Sequence, residues 1–514
     1  MAKFISAAEA AGLIPDESVV AISSFTAVSM AEDLIVAIAE RYEREGRPRD
    51  LSVFHVSGVG DYKHKGLSHL SKEGLIKKLT GAHIFAEPDL IPLIDAGKIA
   101  TYCLPQGVAS HLARAMAGGE DGLLTKIGLH TFADPRLEGC KMNAACQEDI
   151  VRLVPIDGKE YLYYKGQKFD FCLLKGTFAD ESGNISLEGE PVLLEQLEVA
   201  AATKACGGRV IVQVHEKAKE RLHPRNIKIP ARFVDYVVIG RKENTFQTHL
   251  FKEYRPDLTG ESRIDLAKIA PKPLDVRKVC GRRGVLEIRK GNLVNIGGGF
   301  PESVATVAAE ENISESFLFS VESGLIGGVP VEGGIGLSYN PEVVLRQPEK
   351  FDLYNGGCLD VSFLGCAQID EEGNVNVSKF AGKIVGPGGF INIAQNTKNL
   401  CFLGSFTGGK ADIGIEGEKL VIRSDGSVKK FVKKVEQITF SGKDAIKNGQ
   451  NILYITERGV FHLRPEGVTL TEIAPGVDLQ KDILTHMEFA PRIADDLKVM
   501  DSRIFRDQKM GLIL

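Results

Sequence analysis

Several signatures are missing from this 514-residue chain, and each absence removes a class of function. No CxxC pair occurs, and no Cys/His cluster has the spacing of a zinc site. The nine cysteines (Cys103, Cys140, Cys146, Cys172, Cys206, Cys280, Cys358, Cys366 and Cys401) are scattered and odd in number. Their apolar or Gly-rich surroundings make small buried hydrophobes in a reducing compartment the expected role. No charge of one sign dominates: 25% of residues are charged and the formal net charge is -5. No field for nucleic acid or anionic lipid in general is expected, although a local basic patch for a phosphorylated ligand stays open. No apolar run approaches the ~18 residues of a membrane span. The N-terminus, MAKFISAAEAAGLIPDESVV, has no apolar core and meets acidic residues early, so no secretory signal is expected. The resulting expectation is a soluble, cytoplasmic protein without nucleic-acid or membrane partners.

What is present is α/β punctuation. Short apolar runs alternate with helical patterns and Gly-rich turns: Val19 to Ile22, Leu51 to Val56, Arg209 to Val214, Tyr236 to Ile239 and Leu293 to Ile296. Continuous runs of this length suit strands buried on both faces of a parallel sheet. Met30 to Glu43 and Glu302 to Glu311 carry helical spacing.

An internal repeat organises the chain. Val19 to Phe25 and Leu293 to Phe300 are each a strand, a turn of small residues and a Phe before a helix. Ala179–Asp180–Glu181–Ser182–Gly183–Asn184–Ile185 returns about 190 positions later as Ile369–Asp370–Glu371–Glu372–Gly373–Asn374–Val375. Thr203–Lys204 likewise returns as Thr397–Lys398. Three matches in one order indicate two copies of one α/β domain, expected at 1–265 and 280–514. The first carries an insertion at about 55–150. Pro256, Pro271 and Pro273 mark the join. Two such copies create a cleft, and ligands of open α/β sheets gather beyond the carboxyl ends of the strands.

Three Gly-rich loops lie in the second half: Gly297–Gly298–Gly299–Phe300, Gly324 to Gly336, and Gly386–Pro387–Gly388–Gly389–Phe390. None ends in Gly-Lys-Ser/Thr, and the Gly297 loop lacks the spacing of a dinucleotide fingerprint. Such loops let backbone N–H groups approach phosphate or an oxyanion, but they also serve plain turns. Glu322 stands at the end of Ser316 to Val321, which reads as a buried strand, and small residues follow it. A carboxylate is ionised at neutral pH and needs no base to act as a nucleophile. By position alone it could equally be a structural acid. His55, His64, His69, His83, His111, His130 and His215 form no Ser-His-Asp or metal signature. Arg282–Arg283 and Lys429–Lys430 read as solvated faces that could also meet phosphates.

Taken together, the motifs resemble the family I coenzyme A transferases, in the long single-chain acetate or propionate branch. The segment from Glu322 through Gly327–Gly328–Val329–Pro330 to Gly336 and Asn340–Pro341 is similar to that branch's E-x-G-x-x-G-G-x-P pattern. Phe351 to Asp360, Gly373 to Phe380 and the Gly386 loop continue the likeness. In the first half it includes Gly58–Val59–Gly60–Asp61, Leu104–Pro105–Gln106–Gly107 and Thr131 to Arg136. Near the end it includes Thr456 to Phe461 and Glu472 to Gly476. Departures occur at Ser23–Ser24 and Cys358, where glycine is usual, at Leu337, where an aromatic is common, and at His130.

The resemblance implies transfer of CoA between an acyl-CoA and a short-chain carboxylic acid by ping-pong exchange through a glutamyl-CoA thioester on Glu322. It implies oxyanion donors at Gly388 and Gly298, substrate contacts from Gln106 and Gly60, and CoA contacts from Asn376, Lys379, Gly386 and Gly389. Coenzyme A enters as substrate, with no metal and no permanently bound cofactor, and a homotetramer is expected ahead of a dimer. The scaffold implied is the one shared with sugar-phosphate isomerases. An acyl-CoA hydrolase using the same glutamate and an isomerase or ligand-binding module are the alternative functions.

Overall fold

The strand Leu51–His55 is buried at every residue, and Phe171–Ala179 at all but one. Burial along whole strands requires helices on both faces, which is the parallel arrangement the apolar runs predict. The computed structural model describes residues 2–246 and 248–514. The chain divides into two units. The first is Met1–Ser262 with Val344–Phe351 and Lys383–Asn392; the second is Arg263–Val343 with Asp352–Gly382 and Ile393–Leu514.

In the first unit, β1 is Lys3–Phe4, β2 Val19–Ile22, β3 Leu51–His55, β4 Ile76–Gly81, β5 Ala100–Cys103, β6 Phe171–Ala179, β7 Arg209–Lys217 and β8 Tyr236–Ile239. They hydrogen-bond in the order β1-β8-β7-β6-β2-β3-β4-β5. Every pair along that path is parallel. The helices α1 (Ala7–Gly12), α2 (Glu32–Glu45), α3 (Gln106–Ala117) and α4 (Gln196–Ala205) follow the strands. A separate antiparallel sheet is formed by Gly122–Thr125, Val151–Ile156 and Lys159–Lys165.

In the second unit, β9 is Leu293–Ile296, β10 Leu318–Ser320, β11 Leu325–Ile326, β12 Val361–Gly365, β13 Asn399–Leu403, β14 Asn451–Ile455, β15 Gly459–Arg464 and β16 Gly467–Ile473. Five parallel strands, β10-β9-β12-β13-β14, make the centre. The pair β15 and β16 extends it antiparallel on one side, and β11 on the other. Helices α5 (Val276–Val285) and α6 (Glu302–Glu310) pack against each other beside it.

The repeated sequence forms repeated structure. Strand β2 lies between β3 and β6, and β9 lies between β10 and β12. The carboxylate of Asp180 accepts from the N–H groups of Ser182 and Asn184 at 3.0 Å each. Asp370 accepts from Glu372 and Asn374 at 3.1 and 2.9 Å. Each turn thus ties its own backbone through an Asp side chain. The strand expected over Ser316 to Val321 is shorter. Ser316 closes a turn onto the Ile313 carbonyl, Leu318 is 41% exposed, and Val321 already pairs back to Leu325. The architecture is α/β with a mostly parallel main sheet in each unit, and Val344–Phe351 and Lys383–Asn392 join the first unit from beyond the expected boundary at 265–280.

Candidate active site

Strand β10 ends at Ser320, and the chain reverses at once. The Val321 N–H donates to the Leu325 carbonyl at 3.0 Å and the Gly324 N–H to the Val321 carbonyl at 3.1 Å. Glu322 sits in this turn, half-buried. It is therefore neither inside a packed core nor on a fully solvated face. Ser323 is buried and its hydroxyl donates to the Gly336 carbonyl at 2.8 Å, closing the Gly-rich loop on itself. At Gly328, φ is +68° and an added Cβ would overlap the Tyr339 carbonyl oxygen. Only glycine accepts both conditions.

Beneath the turn lies a buried polar chain without a sequence signature. The Tyr354 hydroxyl donates to Asn295 Oδ1 at 3.0 Å and lies 2.9 Å from the Ser320 hydroxyl. Burial pushes the Tyr354 phenol well above its usual range, and the negative charge of Glu322 adds to the rise. Tyr354 therefore stays a neutral donor.

Gly298 follows β9 in the same unit. A Cβ there would meet only the Ile335 side chain, at 3.5 Å, so the loop backbone faces the end of the Gly324 to Gly336 segment with little in between. Glu302, in the first turn of α6, accepts from the Gly333 N–H at 3.2 Å. Burial pushes its carboxyl up to about 7. The Gly298 and Gly324 loops are thus linked through Ile335 and Glu302.

In the first unit, β5 leads through Leu104–Pro105 into α3, and Gln106 occupies the first helical position. Its N–H donates to the Gly388 carbonyl at 2.9 Å, and the Gly107 N–H donates to Asn392 Oδ1 at 3.0 Å. The Lys383–Asn392 segment therefore caps the positive end of α3. Gly107 is required by close approach, since a Cβ there would lie 2.6 Å from the Phe351 ring. Gln106 is 1% exposed, and its Nε2 is a buried donor with no partner among the described residues. Orphan buried donors are rare in folded interiors.

The Gly386 to Gly389 loop belongs with Gln106 in this unit. The Gly388 N–H donates to the Ala82 carbonyl at 2.8 Å, so it is already engaged. An added Cβ at Gly386 would fall on that same carbonyl. Gly389 is buried. Gly60 follows β3; its N–H donates to the Thr26 carbonyl at 3.3 Å, and its Cα side is closed by the Ala86 carbonyl. These glycines therefore shape one cluster of loops at the carboxyl ends of β3, β4 and β5.

Asn376 and Lys379 belong to the second unit. Asn376 is fully buried in a two-stranded hairpin. Its amide donates to Gln368 Oε1 at 2.7 Å and to the Lys379 carbonyl at 2.6 Å, and its Oδ1 accepts from the Ser378 N–H at 3.0 Å. Its hydrogen bonds hold the local hairpin, and Lys379 is half-buried beside it. Ser23, a departure from the family pattern, donates to Glu195 Oε1 at 2.7 Å. Glu195 is buried, and burial pushes its carboxyl up to about 8. All nine cysteines are free thiols; six are buried, and Cys358 is exposed. Among the described residues no His/Cys/Asp/Glu group could hold a metal ion, and no helix is long and apolar enough to cross a membrane.

The coenzyme A transferase family model matches residues 4–240. The caffeate CoA-transferase of Acetobacterium woodii is 47% identical, covering 100% of this chain and 99% of that protein. The acetate CoA-transferase YdiF of Escherichia coli K12 is 40% identical, covering 99% and 96%. The chain belongs to the family I coenzyme A transferases. The crystal structure of the acyl-CoA transferase apoenzyme (YdiF) from E. coli O157:H7 superposes with a TM-score of 0.94 at 39% identity, covering 100% of this chain and 98% of that one. The same E. coli enzyme is also known as a thioester complex with CoA, again at a TM-score of 0.94. This transferase moves CoA between an acyl-CoA and a carboxylic acid, with coenzyme A as substrate.

Proposed function

We propose that the exchange runs through a covalent thioester on Glu322. The Glu322 carboxylate attacks the thioester carbonyl of the acyl-CoA, and CoA thiolate leaves as an acyl-glutamyl anhydride forms. The thiolate then attacks the Glu322 carbonyl and expels the acid as its carboxylate, leaving glutamyl-CoA. The second acid's carboxylate attacks that thioester, CoA leaves again, and its attack on the new acyl carbonyl restores Glu322. No net proton and no nucleotide hydrolysis is needed. The observation that carries this reading is a half-buried carboxylate in the tight turn that opens a Gly-rich loop, at the end of a strand whose Ser320 is bonded to the buried Tyr354. The thioester complex of the E. coli relative supports it.

In this reading the loop backbone at Gly298 donates to the oxyanion of each tetrahedral intermediate. Such a donor is worth roughly 10²–10³ in rate. Gly388 acts through its carbonyl, which seats Gln106, and the buried Gln106 Nε2 binds the acid's carboxylate. Lys379, Gly386 and Gly389 contact CoA, and Gly60 shapes the substrate wall. The protein works in the cytoplasm as a homotetramer. Caffeate and acetate, named for the two relatives, differ by an aromatic ring and a propenoate chain.

Steady-state exchange with two varied substrates tests the mechanism. Parallel double-reciprocal lines are expected, with activity in Glu322→Ala lower by on the order of 10⁴-fold or more. Intersecting lines, or exchange retained in the variant, would remove Glu322 from the chemistry.

A further inference from the structure

The loops after β3 and β4, with His249 from the segment after β8, carry a group of rings that the exchange chemistry does not use. Tyr62 meets His83 edge-on with centroids 6.1 Å apart, His249 edge-on at 6.1 Å, and Phe85 at 6.4 Å. Tyr62, His83 and His249 are half-buried, and Phe85 is 46% exposed. A single exposed phenylalanine is ordinary, but four rings gathered beside a ligand loop are an apolar surface with a shape. His83 Nε2 is buried without a hydrogen-bond partner among the described residues.

The ring group is bonded to the acid's donor through backbone. The Ile84 N–H donates to the Val385 carbonyl at 2.9 Å, the Gly388 N–H to the Ala82 carbonyl at 2.8 Å, and the Gln106 N–H to the Gly388 carbonyl at 2.9 Å. His83 thus lies between two residues that are both tied to the loop seating Gln106. Gly58 fixes the loop after β3 against it, because a Cβ there would lie 3.1 Å from the His83 ring and 2.9 Å from the Ala86 side chain. A buried unpartnered amide donor and an aromatic surface with one unpartnered imidazole nitrogen therefore occur in loops joined by backbone hydrogen bonds.

We propose that Tyr62, His83, Phe85 and His249 take the aryl ring of an aromatic carboxylic acid, with a ring hydroxyl bonded to His83 Nε2. The proposal rests on the assignment of Gln106 to the acid's carboxylate. A phenolic O–H donates to a neutral imidazole nitrogen, and burial holds the His83 imidazole neutral, its pKa down to about 4. An aryl ring covers Phe85 and stacks on or edges against its neighbours. The single methyl of acetate offers no comparable surface.

The test uses the full chain with acetyl-CoA as donor and four acceptors: propionate, butyrate, 3-phenylpropenoate and 3-(4-hydroxyphenyl)propenoate. New acyl-CoA is separated and quantified. The hydroxylated aryl acid is expected to exceed propionate in kcat/KM by about 10-fold or more. Tyr62→Ala and Phe85→Ala are each expected to lower the aryl-to-propionate ratio about 5-fold or more. His83→Leu is expected to erase the preference for the hydroxylated over the plain ring. Ratios within one preparation are independent of the folded fraction, so a poorly folding variant still reports. Propionate preferred by the unmodified enzyme, or a ratio unmoved in both ring variants, overturns the proposal. So does a rise in KM for acetyl-CoA in place of the aryl acid, which would assign the rings to the adenine. Gln106→Ala separates the underlying assignment: loss of both acids together supports it, and retention of both overturns it.

Discussion

At the residue scale the site depends on a few side chains whose surroundings set their protonation and their reach. Tyr354 is the clearest. It is 1% exposed, bonded to Asn295 and next to Ser320. Removing its hydroxyl leaves both partners short of a hydrogen bond in a dry place, at a cost of about 1–3 kcal/mol. Tyr354→Phe should therefore lower the urea midpoint and reduce kcat, because the strand end carrying Glu322 rests on this chain. An unchanged midpoint with unchanged kcat would show the chain to be incidental. On the proposed role of Gln106, Gln106→Ala removes a donor to a charged group, worth about 1.5–3 kcal/mol, so KM for the acid should rise about 10- to 100-fold. Steady-state kinetics over acid concentration reads this directly.

At the element scale, loop closure matters more than loop composition. The turn after β10 is pinned by Ser323 onto Gly336 and by Gly327 onto Phe319, and Gly328 lies where no side chain fits. Gly328→Ala must push the Tyr339 backbone away while also straining φ. A loss of roughly 2 kcal/mol or more is expected, with kcat falling in step. Denaturant unfolding and exchange assays on that variant check it.

The elements also show how far the sequence could be read. The strands at 19–22 and 293–296 were legible because each is a short apolar run, almost wholly buried in a parallel sheet. The Asp turns were legible because their side chains bond their own backbone. Glu322 could be singled out from its motif. Tyr354, Asn295, Glu302 and the Tyr62 ring group could not, because their roles arise from contacts between segments distant in sequence. The Gly386 loop shows the same limit: it lies in the second half of the chain, yet its hydrogen bonds are to Ala82 and Gln106.

At the scale of the whole molecule, buried titratable groups set a window of stability. Glu195 is buried and its carboxyl is pushed up to about 8, so the folded state keeps a proton that the unfolded chain releases near pH 4.5. Stability from this group is present at low pH and is lost as pH rises towards 8. His55 acts at the other end. Its Nδ1–H donates to the Ser57 carbonyl, and burial holds its pKa down to about 4. The unfolded chain takes up that proton below about pH 6.5. Stability from His55 therefore falls as pH drops from 6.5 towards 4. Urea unfolding at several pH values should show a maximum between these limits. Glu195→Gln, which keeps a hydrogen-bonding group for Ser23, should flatten the alkaline side only. A fall in stability unchanged in that variant would assign it elsewhere.

The exchange reaction itself is tested most directly by trapping. Incubation with acetyl-CoA followed by borohydride reduces a glutamyl thioester to the alcohol, and peptide mapping then locates the modified side chain. Reduction at Glu322, dependent on acetyl-CoA and absent in Glu322→Ala, is the predicted result. An unmodified Glu322 peptide from an enzyme shown to be exchanging CoA in the same tube, or a reduced residue elsewhere, would contradict it.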